Sequence, residues 1–204
     1  MEPNWVDIDW SANHLASEEE VQQSRQRLQF EARPVEAAST MQLVETFRTL
    51  LTKGGAHIAA FEVTDSDDVA AWFISRNRDE YGLADCLVRS SVFAEAMPEV
   101  AGTGPLDATD FERSSPLILD GELARTLVWG GAHTGFPSMA GAKAKALATS
   151  FCEGLFGDRY DDIDVDHSWA RWTGWFKGIA WDATWVITDR RYRHVTVLAI
   201  TDTD

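Results

Sequence analysis

The sequence predicts an α+β domain of two layers, an antiparallel sheet of about four to six strands covered by helices. Three observations lead there. In the C-terminal part, Trp181, Ala183, Trp185 and Ile187 alternate with Asp182, Thr184, Val186 and Thr188, the period of a half-buried antiparallel strand. Asp189, Arg190 and Arg191 then turn the chain, and residues 192–200 return it as a β-meander. Earlier, Leu43, Val44, Phe47, Leu50 and Leu51 recur at the spacing of a helix face. Finally, 204 residues at 45% hydrophobic content, with nine tryptophans, suffice for one packed core. The expected organisation is a single globular domain over 1–204, with 1–16 a loosely docked N-terminal arm that carries Trp5 and Trp10.

The elements follow in order. Ser17 and Glu20 have capping-box spacing, so a helix is expected from there to about Ala32, stopping before Pro34. Ser39 and Gln42 repeat the pattern ahead of the second helix, which Gly54 ends. His57, Ala59, Phe61 and Val63 alternate as a strand. An acidic helix start covers 64–68, with Val69, Trp72 and Phe73 as its buried stripe. Leu83, Cys86, Leu87, Ser90, Ala94 and Met97 share one face of a further helix, ended by Pro98. Residues 98–115 read as a loop. Asp120-Gly121 between two apolar runs gives a hairpin signal over 116–129. A glycine-rich connection spans 130–137, and Ser138 is the expected cap of a helix carrying Leu147, Phe151 and Leu155. A third meander strand over 168–176 must contain a bulge, because Trp169, Trp172 and Trp175 repeat every third residue. Trp181 and Trp185 belong in the core. One of the other three tryptophans faces out, since a period of three cannot keep one sheet face.

Composition narrows the function classes. The formal net charge is −15, a field that repels nucleic acid and anionic membranes and favours a basic protein partner. No apolar run reaches the roughly 18 residues needed to span a bilayer. The start, Met1-Glu2-Pro3-Asn4-Trp5, has neither the basic nor the apolar part of a signal peptide, so a cytoplasmic location is expected. Cys86 and Cys152 read as buried free thiols. The charge is uneven: Glu153, Asp158, Asp161, Asp162, Asp164 and Asp166 precede a stretch rich in Arg and Lys.

The motifs with chemistry in them are incomplete. Asp162, Asp164 and Asp166 resemble the opening of a calcium loop, but His167 and Thr173 stand where Gly and Glu are required. The simpler expectation is a strand with Ile163 and Val165 inward and the acids in water. Gly130, Gly131, His133 and Gly135 lie before a helix start, where backbone N–H groups hold anions, yet the Lys and Ser/Thr of a phosphate loop are missing. His14, His57, His133, His167 and His194 are dispersed without a zinc pattern. His194 is expected as a partly exposed strand residue, with a pair to Asp182 or Asp189 across the C-terminal hairpin as the alternative. The last residues, Thr201 to Asp204, read as a solvated strand end. No cofactor and no metal is expected.

The expected function is therefore that of an acidic protein-binding module, of the character of immunity proteins and antitoxin-like inhibitors, directed at a basic partner. Its contact residues are Asp158, Asp161, Asp162, Asp164, Asp166, Trp169, Trp172 and Trp175. The alternative is a hydrolase whose carboxylates and His133 or His167 assemble from separate segments. A DNA mimic ranks behind both, because the acids are clustered rather than spread along a face.

Overall fold

The computed structural model describes residues 17–64, 82–102 and 106–204. The arm over 1–16 and His14 lie outside the described residues, and so does the stripe of Val69, Trp72 and Phe73. In chain order the elements are α1 (Glu18–Arg27), β1 (Phe30–Arg33), α2 (Ala38–Leu50), β2 (Gly55–Val63), α3 (Leu83–Val88), α4 (Ser91–Ala96), α5 (Pro98–Ala101), β3 (Glu112–Ser114), α6 (Pro116–Trp129), α7 (Gly141–Phe156), β4 (Ile163–Ser168), β5 (Ala183–Asp189) and β6 (His194–Thr201). The strands form one open antiparallel sheet in the order β1-β2-β6-β5-β4-β3. This is the α+β fold that the meander and the helical spacing of α2 predict.

Helices α2, α6 and α7 lie on one face of the sheet. They enclose a core with Ala56, Val165, Trp185, Ile187, Leu198 and Ile200. The opposite face is covered as well. There α3, α4 and α5, together with Trp172 and Phe176, pack on Phe61, Val63, Val186, Val195 and Val197. The expectation of a half-buried β5 is thus corrected. Every residue from Ala183 to Asp189 is buried, because a central strand between two covered faces has no wet side.

Several element expectations are corrected by tertiary contacts. Helix α1 stops at Arg27, and Phe30–Arg33 instead pairs with β2, Phe30 opposite Val63; sheet hydrogen bonds and a buried Phe30 outweigh a thin helical stripe. Helix α2 begins after Ala37 with no side-chain cap, so Ser39 is not its capping residue. Ser39 sits against Gly154 of α7, where an added Cβ would collide with its Oγ; close packing of two helices fixes this start. The single helix expected over 83–97 is three short ones. Ser90 breaks it by donating to Leu87 O at 2.7 Å and accepting from Phe93 N at 3.1 Å, and Pro98 opens α5 rather than closing α4.

The hairpin expected over 116–129 is the continuous helix α6. Ser115 caps it and Pro116 takes the first turn, while Leu119, Leu123, Ala124 and Leu127 are buried at helical spacing. Gly121 costs about 1 kcal/mol against Ala in a helix interior, and burial of four apolar side chains exceeds that several-fold. Asp120 is not a turn residue but a tie to α7, 2.6 Å from Lys145 Nζ and 3.1 Å from Thr149 Oγ1. Ser138 does not cap α7, which starts after Ala140; its Oγ donates to Leu127 O and Val128 O and closes the loop back onto α6.

The strand expected over 168–176 ends at its first residue. Beyond Ser168 the chain leaves the sheet in an irregular segment that continues to Trp181. Asp182, 1% exposed, fixes its end by accepting from Lys177 N, Gly178 N and Ile179 N at 3.0, 2.5 and 3.2 Å, and from Thr201 Oγ1 at 2.5 Å.

Candidate functional site

The acid run is neutralised within the fold. Asp164 and Asp166 point from β4 to the face opposite Ile163 and Val165. Arg113 on β3 reaches both, at 3.0 and 3.1 Å. Arg190 lies 3.4 Å from Asp164, and Arg191 is 2.6 Å from Asp162. The expectation of acids turned to water is corrected here: Asp162 and Asp164 are 7% and 9% exposed. Two of the basic residues that follow this run in the sequence, Arg190 and Arg191, are its own counter-ions, delivered by the β5–β6 turn. Asp158 and Asp161 stay exposed. Among the described residues, no group of three or more His, Cys, Asp or Glu is placed to hold a metal.

The glycine loop does hold an anion with its backbone, and that anion is the chain's own Asp202. Ala132 N donates to Oδ2 at 2.9 Å, and Lys53 N donates to Oδ1 at 2.9 Å. Gly131 N is occupied by Thr134 Oγ1 at 2.8 Å. Gly131 itself is required by close approach, since a Cβ there would collide with Asp202 and stand 2.7 Å from Leu50 O. Asp202 is 0% exposed, so the expectation of a solvated C-terminal strand end is corrected. His133 is exposed, its Nε2 3.1 Å from Thr203 O.

A cleft of ≈ 180 Å³ opens beside the start of α2, lined in part by Arg33, Glu36, Asp189 and His194. Asp189 and His194 are its candidate acid–base pair, and both are already engaged. Asp189 accepts from Arg159 Nη2 at 2.6 Å and from Tyr192 N at 3.2 Å. His194 Nε2 faces Arg33 Nη1 rather than Asp189. Burial, and then the Arg33 charge, hold its pKa below the ordinary imidazole value, which favours the neutral ring. His133 and His167 stand on other elements. Cys152 is buried as expected, whereas Cys86 is half-buried; desolvation raises the pKa of both, that of Cys152 to about 12.

The tryptophans separate by depth. Trp172 and Trp185 are 0% exposed. Trp175 and Trp181 are half-buried, so Trp181 lies at the edge of the core rather than inside it. Trp169 is 41% exposed, the outward-facing member of the period-three series. It packs edge-on against Trp185, with ring centroids 5.7 Å apart.

Sequence reasoning missed the partner of Trp169. Trp129, at the last turn of α6, is 53% exposed, and Arg125 one turn before it lies between the two indoles. The Arg125 guanidinium carbon is 5.0 Å from the Trp129 ring centroid and 5.7 Å from that of Trp169. Leu117 and Ile118, at the other end of α6, are 72% and 52% exposed, and Phe136, on the loop after α6, is 74% exposed. The outward stripe of α6 therefore runs Leu117, Gly121, Arg125, Trp129 at helical spacing. The signal was present in that spacing, and reading 116–129 as a hairpin hid it. Between Arg125, Trp129 and Trp169 a small recess of ≈ 20 Å³ reaches down to Leu51, Trp181 and Ile200.

No protein-family profile matches the chain, and no curated protein matches it.

Proposed function

We propose that the chain is a protein-binding module and that the face built by α6 and Trp169 makes the contact. One observation carries this reading: two half-exposed tryptophans flank an arginine, on the helix whose far end exposes Leu117 and Ile118. Tryptophan and arginine dominate the residues that carry binding energy at protein interfaces, and large exposed apolar groups gathered on one face are uncommon on a surface with no partner. The net charge of −15 favours a partner with a basic surface and speeds its approach, in keeping with an immunity-protein or antitoxin-like inhibitor. Of the acids first expected at the contact, Asp158 and Asp161 remain on the surface to contribute to that field.

Affinity capture with the wild-type chain and with a Trp129→Ala/Trp169→Gln double variant tests the reading. Both side chains are substantially exposed, so the variant keeps the fold and loses no more than about 2 kcal/mol of stability. A protein retained by the wild type and lost from the variant is the expected result. Identical sets of bound proteins would refute it.

A further inference from the structure

We propose that Arg125, held between Trp129 and Trp169, receives a carboxylate of the protein partner, an Asp, Glu or chain terminus lying beside an apolar side chain. The inference rests on the reading of this face as protein-binding and adds what it recognises.

Arg125 is exposed and has no ion pair or hydrogen bond among the described residues. The chain carries 33 acids against 18 Lys and Arg. Arg89, Arg113, Arg159, Arg190 and Arg191 each hold a carboxylate. The nearest acid along α6, Glu122, precedes Arg125 by three residues and is placed to pair with it. Instead, its two oxygens accept from Trp185 Nε1 at 3.1 Å and from Ser114 Oγ at 3.2 Å. The fold thus diverts the local counter-ion and leaves the guanidinium to the indoles.

Stacking engages the faces of a guanidinium and leaves its in-plane N–H donors for another acceptor. A carboxylate fits that fork with two parallel bonds. The rings also fix the arginine rotamer in advance, which removes part of the entropy cost of binding. The exposed indoles of Trp129 and Trp169 supply the apolar surroundings for the residue next to the acid. The overall charge disfavours a partner that is acidic throughout. The carboxylate is therefore a single anchor within a basic or neutral surface, where the surrounding field steers and this pair fixes register.

A phage-displayed library of short linear peptides, panned on the wild-type chain and counter-selected on the Trp129→Ala/Trp169→Gln variant, tests this. The expected result is enrichment of peptides with Asp or Glu beside an apolar residue. Their affinity should fall about tenfold or more both on Arg125→Gln and on changing that acid to its amide. Arg125→Gln, being a surface change, keeps the wild-type melting temperature. Enriched peptides that lack an acid, or that bind Arg125→Gln as well as wild type, would overturn the carboxylate assignment while leaving the aromatic face as a binding surface. If no peptide distinguishes wild type from the double variant, the binding face itself is refuted, and the carboxylate with it.

Discussion

Asp202→Ala is expected to destabilise the protein by about 3 kcal/mol, because it leaves two backbone N–H groups without their acceptor. Lys53 N and Ala132 N both bond this wholly buried carboxylate. Through it the turn between α2 and β2, the loop after α6 and the end of β6 are joined. In a chain of this size, that loss lowers the melting temperature by about 6–12 °C. Asp202→Asn keeps one good acceptor and is expected to cost about half as much. Asp204→Ala, at the exposed chain end, is the control and should leave stability unchanged. Thermal unfolding of the three variants decides it: an Asp202→Ala protein as stable as the Asp204→Ala protein would mean that the tie contributes nothing. The tie also matters for the binding face. The loop it holds begins at Gly130, directly after Trp129, so a loosened loop removes the support for that indole.

Trp172→Ala should cost about 3–5 kcal/mol, the range for deleting a wholly buried aromatic side chain. Trp172 packs between Phe93 and Phe176, with centroids 5.9 and 5.1 Å away, and its Nε1 donates to Thr184 Oγ1 at 3.0 Å. Truncation removes both rings' contacts and strands a buried hydroxyl. Trp172→Phe retains most of the packing and loses the hydrogen bond, so about 1–2 kcal/mol is expected. Trp169→Gln, three residues earlier, should stay within about 1 kcal/mol. Equal losses for Trp172→Ala and Trp169→Gln in denaturant unfolding would contradict the assignment of one indole to the core and the other to the surface.

Those two tryptophans also mark how far the sequence is legible. The period of three shows that one of them faces out, but the alternation rule assumes a strand, and the chain leaves the sheet at Ser168. Which indole is buried is decided by α4, through Phe93, and nothing near residue 172 announces that contact. The C-terminal meander and α2 were readable because their periodicity is local and unbroken. The span 116–129 was misread because Asp120-Gly121 satisfies a turn on local chemistry alone, whereas the ties that make it helical come from Lys145 and Thr149 on another element. Composition showed the acid run but not its neutralisation. Arg113 lies some fifty residues before Asp162, and only the pairing of β3 with β4 brings it alongside. The same holds for Asp202, which looks like part of a polar tail until the glycine loop closes over it. The candidate site depends on all of these corrections. Once the acids are paired and α6 is a helix, the aromatic face around Arg125 is a part of the described surface with an unmet interaction.

Photo-cross-linking from two positions tests that claim most directly. A benzophenone amino acid is placed at Leu117, on the aromatic face, and in a separate variant at Asp161, among the exposed acids, and both are illuminated in the native cells. A protein adduct from position 117 and none from 161 is the predicted result. An adduct from 161 alone, or no adduct from 117, would contradict it.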